Sequence, residues 1–395
     1  MMSVNLPFFL QSRQWSDFWI QANPKDHKKH EVIHQFAGYR LQAIIYEYPY
    51  FFNTSFFYIP KGPILLQLNT AKFTEFPKSK KEEINENQLN EDLLKDELKK
   101  FYAKVVQLAK ENQILFLKHD FDETVSKYAG FQNNRQIKDF FEKELKQKAL
   151  LDVKSLQYLQ TIVLDCRDIR LLPSKQIVTD SDKVRSPISI HSQDLNNIDF
   201  QKFFELNNDF WKRTNQNVRR YTRKSLQKNW HINIDKTPGN FEDAWKLLNQ
   251  TGQRQEFHLH TKEYLETLFN QDFSRVIVLR DQNGLAHACW IGIILNRNVV
   301  YLYGGNTEYS LKNYGQYLLH LVVTWIVAAE NSNEPDKVRY YDLGGYSEEK
   351  GYGKFKQNYR GETKSWLGPV DLVYETWKYH LIMLVIQFTR FLKNK

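Results

Sequence analysis

Cysteine is almost absent from this chain. Two residues, Cys166 and Cys289, stand among 395, too few for a disulfide scaffold or a four-cysteine zinc site, so a reducing compartment is expected. Long apolar runs are missing as well. No window reaches the ~18–20 apolar residues of a membrane span, and the nearest candidate, Leu381 to Leu392, is broken by Gln387 and Arg390. Met1 to Trp15 lacks a basic n-region and carries only a short apolar patch, Leu6 to Leu10, so no signal peptide and a cytoplasmic location are expected. Nucleotide fingerprints are missing too: there is neither G-x-x-x-x-G-K-[ST] nor G-x-G-x-x-G, and no G-x-S-x-G elbow. Nucleotide hydrolysis, dinucleotide binding and serine-hydrolase chemistry therefore have no support, and no cofactor or metal is expected.

Aromatic residues make up 15% and the hydrophobic set 42%, which places the chain among folded proteins rather than disordered ones. Its length suits two or three domains. Lys and Arg number 55 against 46 Asp and Glu, a net +9. That excess suits an anionic partner such as RNA, phosphate or a lipid surface without requiring one.

Periodicity supplies the order of elements. Ser12 caps a short helix whose Trp15, Phe18 and Trp19 share one face. His30–Phe36 and Arg40–Tyr48 read as a hairpin about Ala37-Gly38, and Phe56–Pro63 as a strand. A solvated loop is expected over Lys78–Asn87, and a long amphipathic helix over Asn90–Asn112 through Leu94, Leu98, Phe101, Val105 and Leu108. Strand Ile114–Lys118, helix Asp139–Leu150 and strand Ser155–Leu164 follow, then a polar excursion from Arg167 to Leu195. Helices are expected over Phe200–Asn217, on to Lys228, and over Asn240–Asn249 and Lys262–Asn270. From Arg275 the reading is three meandering strands, helix Tyr314–Glu330, strand Lys337–Leu343, a Gly-Gly turn, a short helical piece and strand Ser365–Val373. This order is that of a GNAT-type acyltransferase fold, and residues 30–164 carry a rougher version of it. The expected class is α/β: tandem GNAT-like domains, with mixed, mostly antiparallel sheets flanked by helices.

Four constellations bear on chemistry. His30-Glu31-Val32-Ile33-His34 matches the H-E-x-x-H zinc motif, which holds a metal only on a helix. On the strand expected here the two histidines lie roughly 13 Å apart at about 3.3 Å per residue, too far for bonds of ~2.0–2.1 Å to one Zn²⁺. The run Lys212, Arg213, Arg219, Arg220, Arg223, Lys224, Lys228 has no acidic residue among its members; it is either a polyphosphate- or RNA-binding flank or a solvated helix face. Tyr301-Leu302-Tyr303-Gly304-Gly305 and Tyr341-Asp342-Leu343-Gly344-Gly345 both end strands in glycine pairs, where backbone approaches a ligand closely. Lys356 follows the second; its ammonium there either stabilises an oxyanion or is a surface lysine after a turn. The helix after Tyr303 lacks a glycine-rich pyrophosphate loop, which points away from acetyl-CoA as donor.

Taken in order, these segments resemble the FemABX peptidyltransferases that build peptidoglycan cross-bridges. The matching pieces are Gln11-Ser12-x-x-Trp15-x-x-Phe18, Tyr58-Ile59-Pro60-Lys61-Gly62-Pro63, Ile114 to Asp120, Lys212 to Lys224, Thr251-Gly252-Gln253-Arg254 with Lys262-Glu263-Tyr264, Tyr301 to Asn306, Tyr341 to Gly345, Phe355-Lys356, and Leu367 to Asp371. The resemblance covers roughly Phe9 to Tyr374. It implies a first GNAT-like domain over 1–158 with 374–395, binding the acceptor, and a second over 159–373, carrying the basic helix and Phe355-Lys356. It implies aminoacyl-tRNA as donor and the stem-peptide amine of a lipid-linked or UDP-linked muropeptide as acceptor. Lys356, with Phe355, then stabilises the oxyanion at the aminoacyl ester. Arg254 is a precursor-phosphate ligand, and Asp120 lines the acceptor channel. Thr251, Tyr303, Gly344 and Gly345 border the substrate, and Arg219, Arg220, Arg223 and Lys224 hold the tRNA. Where family members carry a second phosphate-binding lysine, this chain has Trp19, with Lys61 or one of Lys25, Lys28 and Lys29 as substitute. A channel tyrosine is replaced by Leu115. The long coiled-coil arm of some members has no counterpart around residues 225–260, so the armless type is expected. The other readings are N-acyl transfer from another donor, and a non-catalytic protein that docks RNA or a lipid-linked precursor. The apolar, basic-ended helix from Trp377 to Lys395 either packs on the first domain or touches the inner membrane surface.

Overall fold

The computed structural model describes residues 9–23, 25–50, 54–68, 89–151, 153–171, 198–255, 259–333, 337–349 and 351–393. The loop expected over Lys78–Asn87 and most of the excursion from Arg167 to Leu195 lie outside them. The chain divides into two compact units, Met1–Leu159 with Ser365–Lys395, and Gln160–Lys364.

The first unit holds strands β1 (Lys28–Phe36), β2 (Tyr39–Pro49), β3 (Ser55–Gly62), β4 (Ile64–Gln67), β5 (Ile114–Phe121), β6 (Lys148–Leu150) and, from the far end of the chain, β14 (Val370–Val373). They form one sheet in the order β1-β2-β3-β5-β14-β6, with β4 beside β2. β3 and β5 run parallel, and the other neighbours in this sheet are antiparallel. Helix Glu91–Glu111 covers one face. Asn90 caps it, its Oδ1 accepting from the Leu93 amide at 2.8 Å, and Leu94, Leu98, Phe101 and Val105 pack with Leu41, Ile45, Phe57 and Leu117 of the sheet. Each such side chain contributes about 1.5–3 kcal/mol by leaving water. Helix Thr376–Lys393 lies on the other face, where Tyr379 and Ile382 meet Phe56, Tyr58 and Phe116.

The second unit repeats the pattern with β7 (Gln160–Asp165), β8 (His231–Asn233), β9 (Ser274–Arg280), β10 (Ala286–Leu295), β11 (Asn298–Asn306), β12 (Tyr340–Gly345) and β13 (Glu362–Ser365), ordered β13-β7-β12-β11-β10-β9-β8. Again one parallel pair, β11 with β12, sits among antiparallel neighbours. Helix Gly315–Asn333 crosses between the parallel strands and buries Leu318, Leu321, Val322 and Ile326 against Ile277, Leu279, Trp290 and Tyr341.

Several boundaries differ from the reading of the sequence. Of the stretch 365–373, expected as one strand ending the second unit, only Ser365 belongs to β13 of the second sheet, and Val370–Val373 form β14 of the first. β13 and β14 are separated at Gly368-Pro369, and β14 completes the first unit between β5 and β6. The helix expected over Asp139–Leu150 runs Asn134–Glu144, after which the chain becomes β6 because β14 offers it a partner. Ser155–Leu164 narrows to β7. The helix expected over Phe200–Asn217 breaks at Asn207, whose amide is drawn into hydrogen bonds with both the N–H and the carbonyl of Arg170 (2.8 and 3.0 Å).

The H-E-x-x-H segment lies in β1. His30 Nε2 meets Glu47 at 2.7 Å and His34 Nε2 meets Glu97 at 2.5 Å, so each ring has its own carboxylate. Among the described residues no cluster of three metal-ligating side chains occurs.

Candidate active site at the end of the second sheet

The centre of the second sheet comes apart. β11 and β12 pair in parallel at Asn298–Tyr340, Val299–Tyr341 and Val300–Asp342, and among the described residues the ladder stops there although both strands continue. A bulge accompanies the break on each strand. Leu302 is the extra residue of β11 against β10. Leu343 and Gly344 together face a single residue of β7. Bulges bend strands and end pairing, and here two of them free backbone groups on either side of one gap.

Lys356 enters that gap. It sits on the short helix Gly351–Gln357, held by Phe355, whose ring packs on Tyr317, His320 and Tyr359 at 5.2–5.4 Å. The Lys356 ammonium donates to the carbonyl of Gly345 at 2.6 Å. It lies 5.5 Å from the ring centre of Tyr301 and 5.3 Å from that of Tyr352. An ammonium has three protons; among the described residues one has an acceptor, which leaves two for a ligand oxygen. Burial pulls this lysine down to about 8, opposed by the nearby Asp342 charge. It is therefore mostly cationic at neutral pH.

Asp342 is the buried counterpart. Burial pushes its carboxyl up to about 6, against the hydrogen bonds it accepts. These come from the Gly344 amide at 2.7 Å and the Thr161 hydroxyl of β7. Thr161 Oγ1 also lies 2.8 Å from the Gly344 carbonyl, so the turn after Asp342 is fixed from both sides. Gly344 is required there: its φ is +73°, and a Cβ would stand 2.4 Å from the Tyr301 carbonyl oxygen. Behind the lysine, Trp290 Nε1 donates to Tyr341 Oη (2.9 Å), which donates to His320 Nδ1 (2.6 Å). Burial and the Lys356 charge hold His320 down at about 3, so the ring is neutral and Lys356 carries the positive charge.

The structure brings Phe355, Lys356, Gly344 and Gly345 together. Thr251 and Arg254 meet elsewhere on β11: on helix Pro238–Gln255, Thr251 Oγ1 accepts from the Asn306 amide and Arg254 Nη2 donates to the Asn306 carbonyl, both at 3.0 Å. They anchor the last residue of the strand, and Arg254 keeps an exposed guanidinium. The pair Gly304-Gly305 serves packing rather than open backbone, since a Cβ at Gly305 would stand 2.6 Å from the Leu247 backbone of that helix. Tyr303 is half-buried. On the basic helix Gln216–Leu226, Arg220, Arg223 and Lys224 are exposed. Arg219 is different: its Nη1 donates to the carbonyls of Thr214 (2.5 Å), Trp211 and Lys212 (3.3 Å each), ending the preceding helix.

Lys61 and Asp120 face one another inside the first unit, Nζ to Oδ2 at 3.6 Å, both 0% exposed. A bulge sets the pair: Pro60 and Lys61 of β3 together oppose Asp120 of β5, with Lys61 at φ +49°. Tyr58 donates to Asp120 at 2.6 Å, and the Lys61 ammonium lies 4.7 Å from the Trp366 ring centre. Lys61, offered with Lys25, Lys28 and Lys29 as a substitute for the family's phosphate-binding lysine, is thus a buried partner of a carboxylate. Sequence reasoning does not single out Asp342, Thr161, Tyr301, Tyr341 or His320 as site residues. Tyr301, Tyr341 and Asp342 leave a trace there only as members of the two strand endings marked by glycine pairs.

No family model matches the sequence, and no curated protein matches it. Solved structures do. FemX superposes with a TM-score of 0.60 at 12% identity, over 97% of this chain and 99% of that one. The chain has the FemX fold. Two others are more distant: a conserved protein of unknown function from Bacteroides thetaiotaomicron VPI-5482 (TM-score 0.47, 10% identity, 94% of this chain and 93% of that) and L-PGS from Bacillus licheniformis (0.44, 8%, 95% and 94%). At such identities the FemX likeness speaks for the fold, and chemistry has to be argued from the residues around Lys356.

Proposed function

We propose that the protein is an acyltransferase that moves an amino acid from aminoacyl-tRNA to the stem-peptide amine of a peptidoglycan precursor. The reading is carried by one observation: a buried, mostly protonated lysine with two free protons, set where two parallel strands part. The FemX fold and the ordered FemABX-like segments support it.

The reaction is aminolysis of an ester. The neutral acceptor amine attacks the ester carbonyl, a C–N bond forms, and negative charge gathers on the carbonyl oxygen. The Lys356 ammonium stabilises that charge from a low-dielectric setting in which its hydrogen bond to Gly345 has already fixed its position. Collapse breaks the C–O bond, and the proton lost by the amine leaves with the ribose hydroxyl, so the substrates carry the proton between them. Phe355 positions the lysine through its aromatic contacts. Arg254 offers its exposed guanidinium edge to the precursor phosphates, and Arg220, Arg223 and Lys224 form the flank for the tRNA. Thr251, Tyr303, Gly344 and Gly345 shape the donor end, whereas Asp120, expected to line the acceptor channel, is wholly buried with Lys61 and takes no direct part.

The test is transfer in vitro from a pool of charged tRNAs to lipid-linked or UDP-linked muropeptide, with products weighed by mass spectrometry. A muropeptide heavier by one amino-acid residue is expected, and free CoA should not compete. Transfer that requires acyl-CoA instead, or a protein that binds both substrates without product, would overturn the reading.

A further inference from the structure

Helix Thr376–Lys393 has an inner and an outer face. The inner face is tied to the first sheet: Tyr379 Oη donates to Asp371 at 2.8 Å, and Tyr379 and Ile382 are buried against Phe56 and Phe116. The outer face is apolar and uncovered. Trp377, Leu381, Leu384 and Phe388 are 66%, 49%, 63% and 62% exposed. At 100° per residue they fall within an arc of about 60°, along about 16 Å of helix. Trp377 and Leu384 are more exposed than any other large hydrophobic side chain among the described residues.

Charge identifies what covers this face. From Thr376 to Lys395 the sequence contains Lys378, Arg390, Lys393 and Lys395 and no Asp or Glu. The nearest acid, Glu375, precedes the helix and pairs with Lys378 at 3.6 Å. Lys148 of β6 adds another cation beside it, donating to His380 at 3.3 Å. Self-association through this face would set two basic helices against each other with no carboxylates to pair them, over about two heptads where a coiled coil needs at least about three or four. A bilayer crossing is excluded by length and polarity: no described helix is long and apolar enough. An apolar stripe with a tryptophan at its start, on a segment whose charged residues from Thr376 onward are all basic, matches the surface of an anionic bilayer, the helix lying in the plane of the headgroups.

We infer that helix Thr376–Lys393 docks the protein on anionic membrane surface through Trp377, Leu381, Leu384 and Phe388. The inference is independent of the acyl-transfer reading. It is tested with the full chain by co-sedimentation with phosphatidylcholine vesicles containing about 30% phosphatidylglycerol, and with pure phosphatidylcholine vesicles. Binding to the anionic vesicles and little to the neutral ones is expected. The double variant Leu384→Ser with Phe388→Ser keeps the charge and the inner face unchanged, and should weaken binding at least about tenfold with unchanged thermal unfolding. Trp377 emission should shift to the blue on binding, read as the difference between wild type and Trp377→Phe. Wild-type protein that stays in the supernatant would overturn the inference. So would a double variant that binds as well as wild type, which would mean that overall positive charge alone is responsible, and so would a concentration-dependent dimer in sedimentation velocity that the double variant dissolves.

Discussion

The two sheets share a plan and differ at one end of it. Each sets a parallel pair, β3 with β5 or β11 with β12, among antiparallel strands, and each buries a lysine and an aspartate near the C-terminal ends of that pair. In the first sheet the bulge at Pro60–Lys61 is followed by renewed pairing, Gly62 against Phe121, and Lys61 and Asp120 are sealed in. In the second sheet pairing stops at Val300 and Asp342, and the lysine comes from a separate helix to meet a carbonyl instead of a carboxylate. The same frame thus yields a closed ion pair in one unit and an available cation in the other. The choice turns on whether the ladder resumes beyond the bulge.

The closed pair should show the largest effect. Lys61→Ala removes the cation from the wholly buried Asp120, whose carboxyl burial already pushes up, and is expected to destabilise the protein by about 3–5 kcal/mol. Lys61→Met combined with Asp120→Leu should recover most of that loss, because apolar neighbours of similar volume replace a buried pair at little cost. Urea unfolding of Lys61→Met, Asp120→Leu and the double measures the coupling; additive effects would mean the residues do not act as a pair. Lys356→Ala belongs to the open end. It should lower kcat by about 10²-fold or more, which is about 2.7 kcal/mol at the transition state, while thermal unfolding changes little. Near-normal turnover would remove the oxyanion role.

Much of this comparison is legible in the residues. The order of strands and helices follows from apolar periodicity, and Phe355-Lys356 and the Gly344-Gly345 turn stand out as punctuation. The parting of the strands does not. Where a ladder ends is decided by partners distant in sequence, and the bulge at Leu302 has no local mark. Burial of Lys61 is also hidden, since a lysine near the end of the strand read over Phe56–Pro63 gives no sign of its depth until β5 is laid next to it with Asp120 opposite. The strand expected over Ser365–Val373 fails for a related reason. Leu367-Gly368-Pro369 resembles a family segment, but its glycine and proline also mark a break, and only the pairing of β14 with β5 and β6 assigns its second half to the first sheet.

Two glycines sharpen the contrast at an intermediate size. Gly38, in the β1–β2 turn, has φ +82° and nothing within 4 Å of where a Cβ would stand, whereas Gly344 has φ +73° and the Tyr301 carbonyl 2.4 Å away. Gly38→Ala should cost about 1–2 kcal/mol, the left-handed backbone alone. Gly344→Ala adds a steric clash that pushes β11 and β12 further apart, so it should cost clearly more and should also reduce turnover by moving the acceptor of Lys356. Equal losses in the two variants would mean that Tyr301 yields freely and that the gap is soft.

The smallest expected effect is in pH, and its sign separates the two lysines. Lys61 and Lys356 are both lowered by burial from 10.5 to about 8. Between about 8 and 10.5 the unfolded chain holds protons that the folded chain has released, so each lysine's contribution to stability rises with pH across that window and its penalty is fully present below it. Activity runs the other way and depends on Lys356 alone. Its ammonium is present below about 8 and lost above, so between about pH 7 and 9 the charged fraction falls roughly tenfold. The acceptor amine gains nucleophilicity over the same range and would mask this in the wild type. Lys356→Arg keeps its charge throughout, so the ratio of wild-type to Lys356→Arg kcat/KM cancels the acceptor's titration. That ratio should fall about tenfold from about pH 7 to 9. A flat ratio would show that the charge on Lys356 is not what the open end of the second sheet supplies.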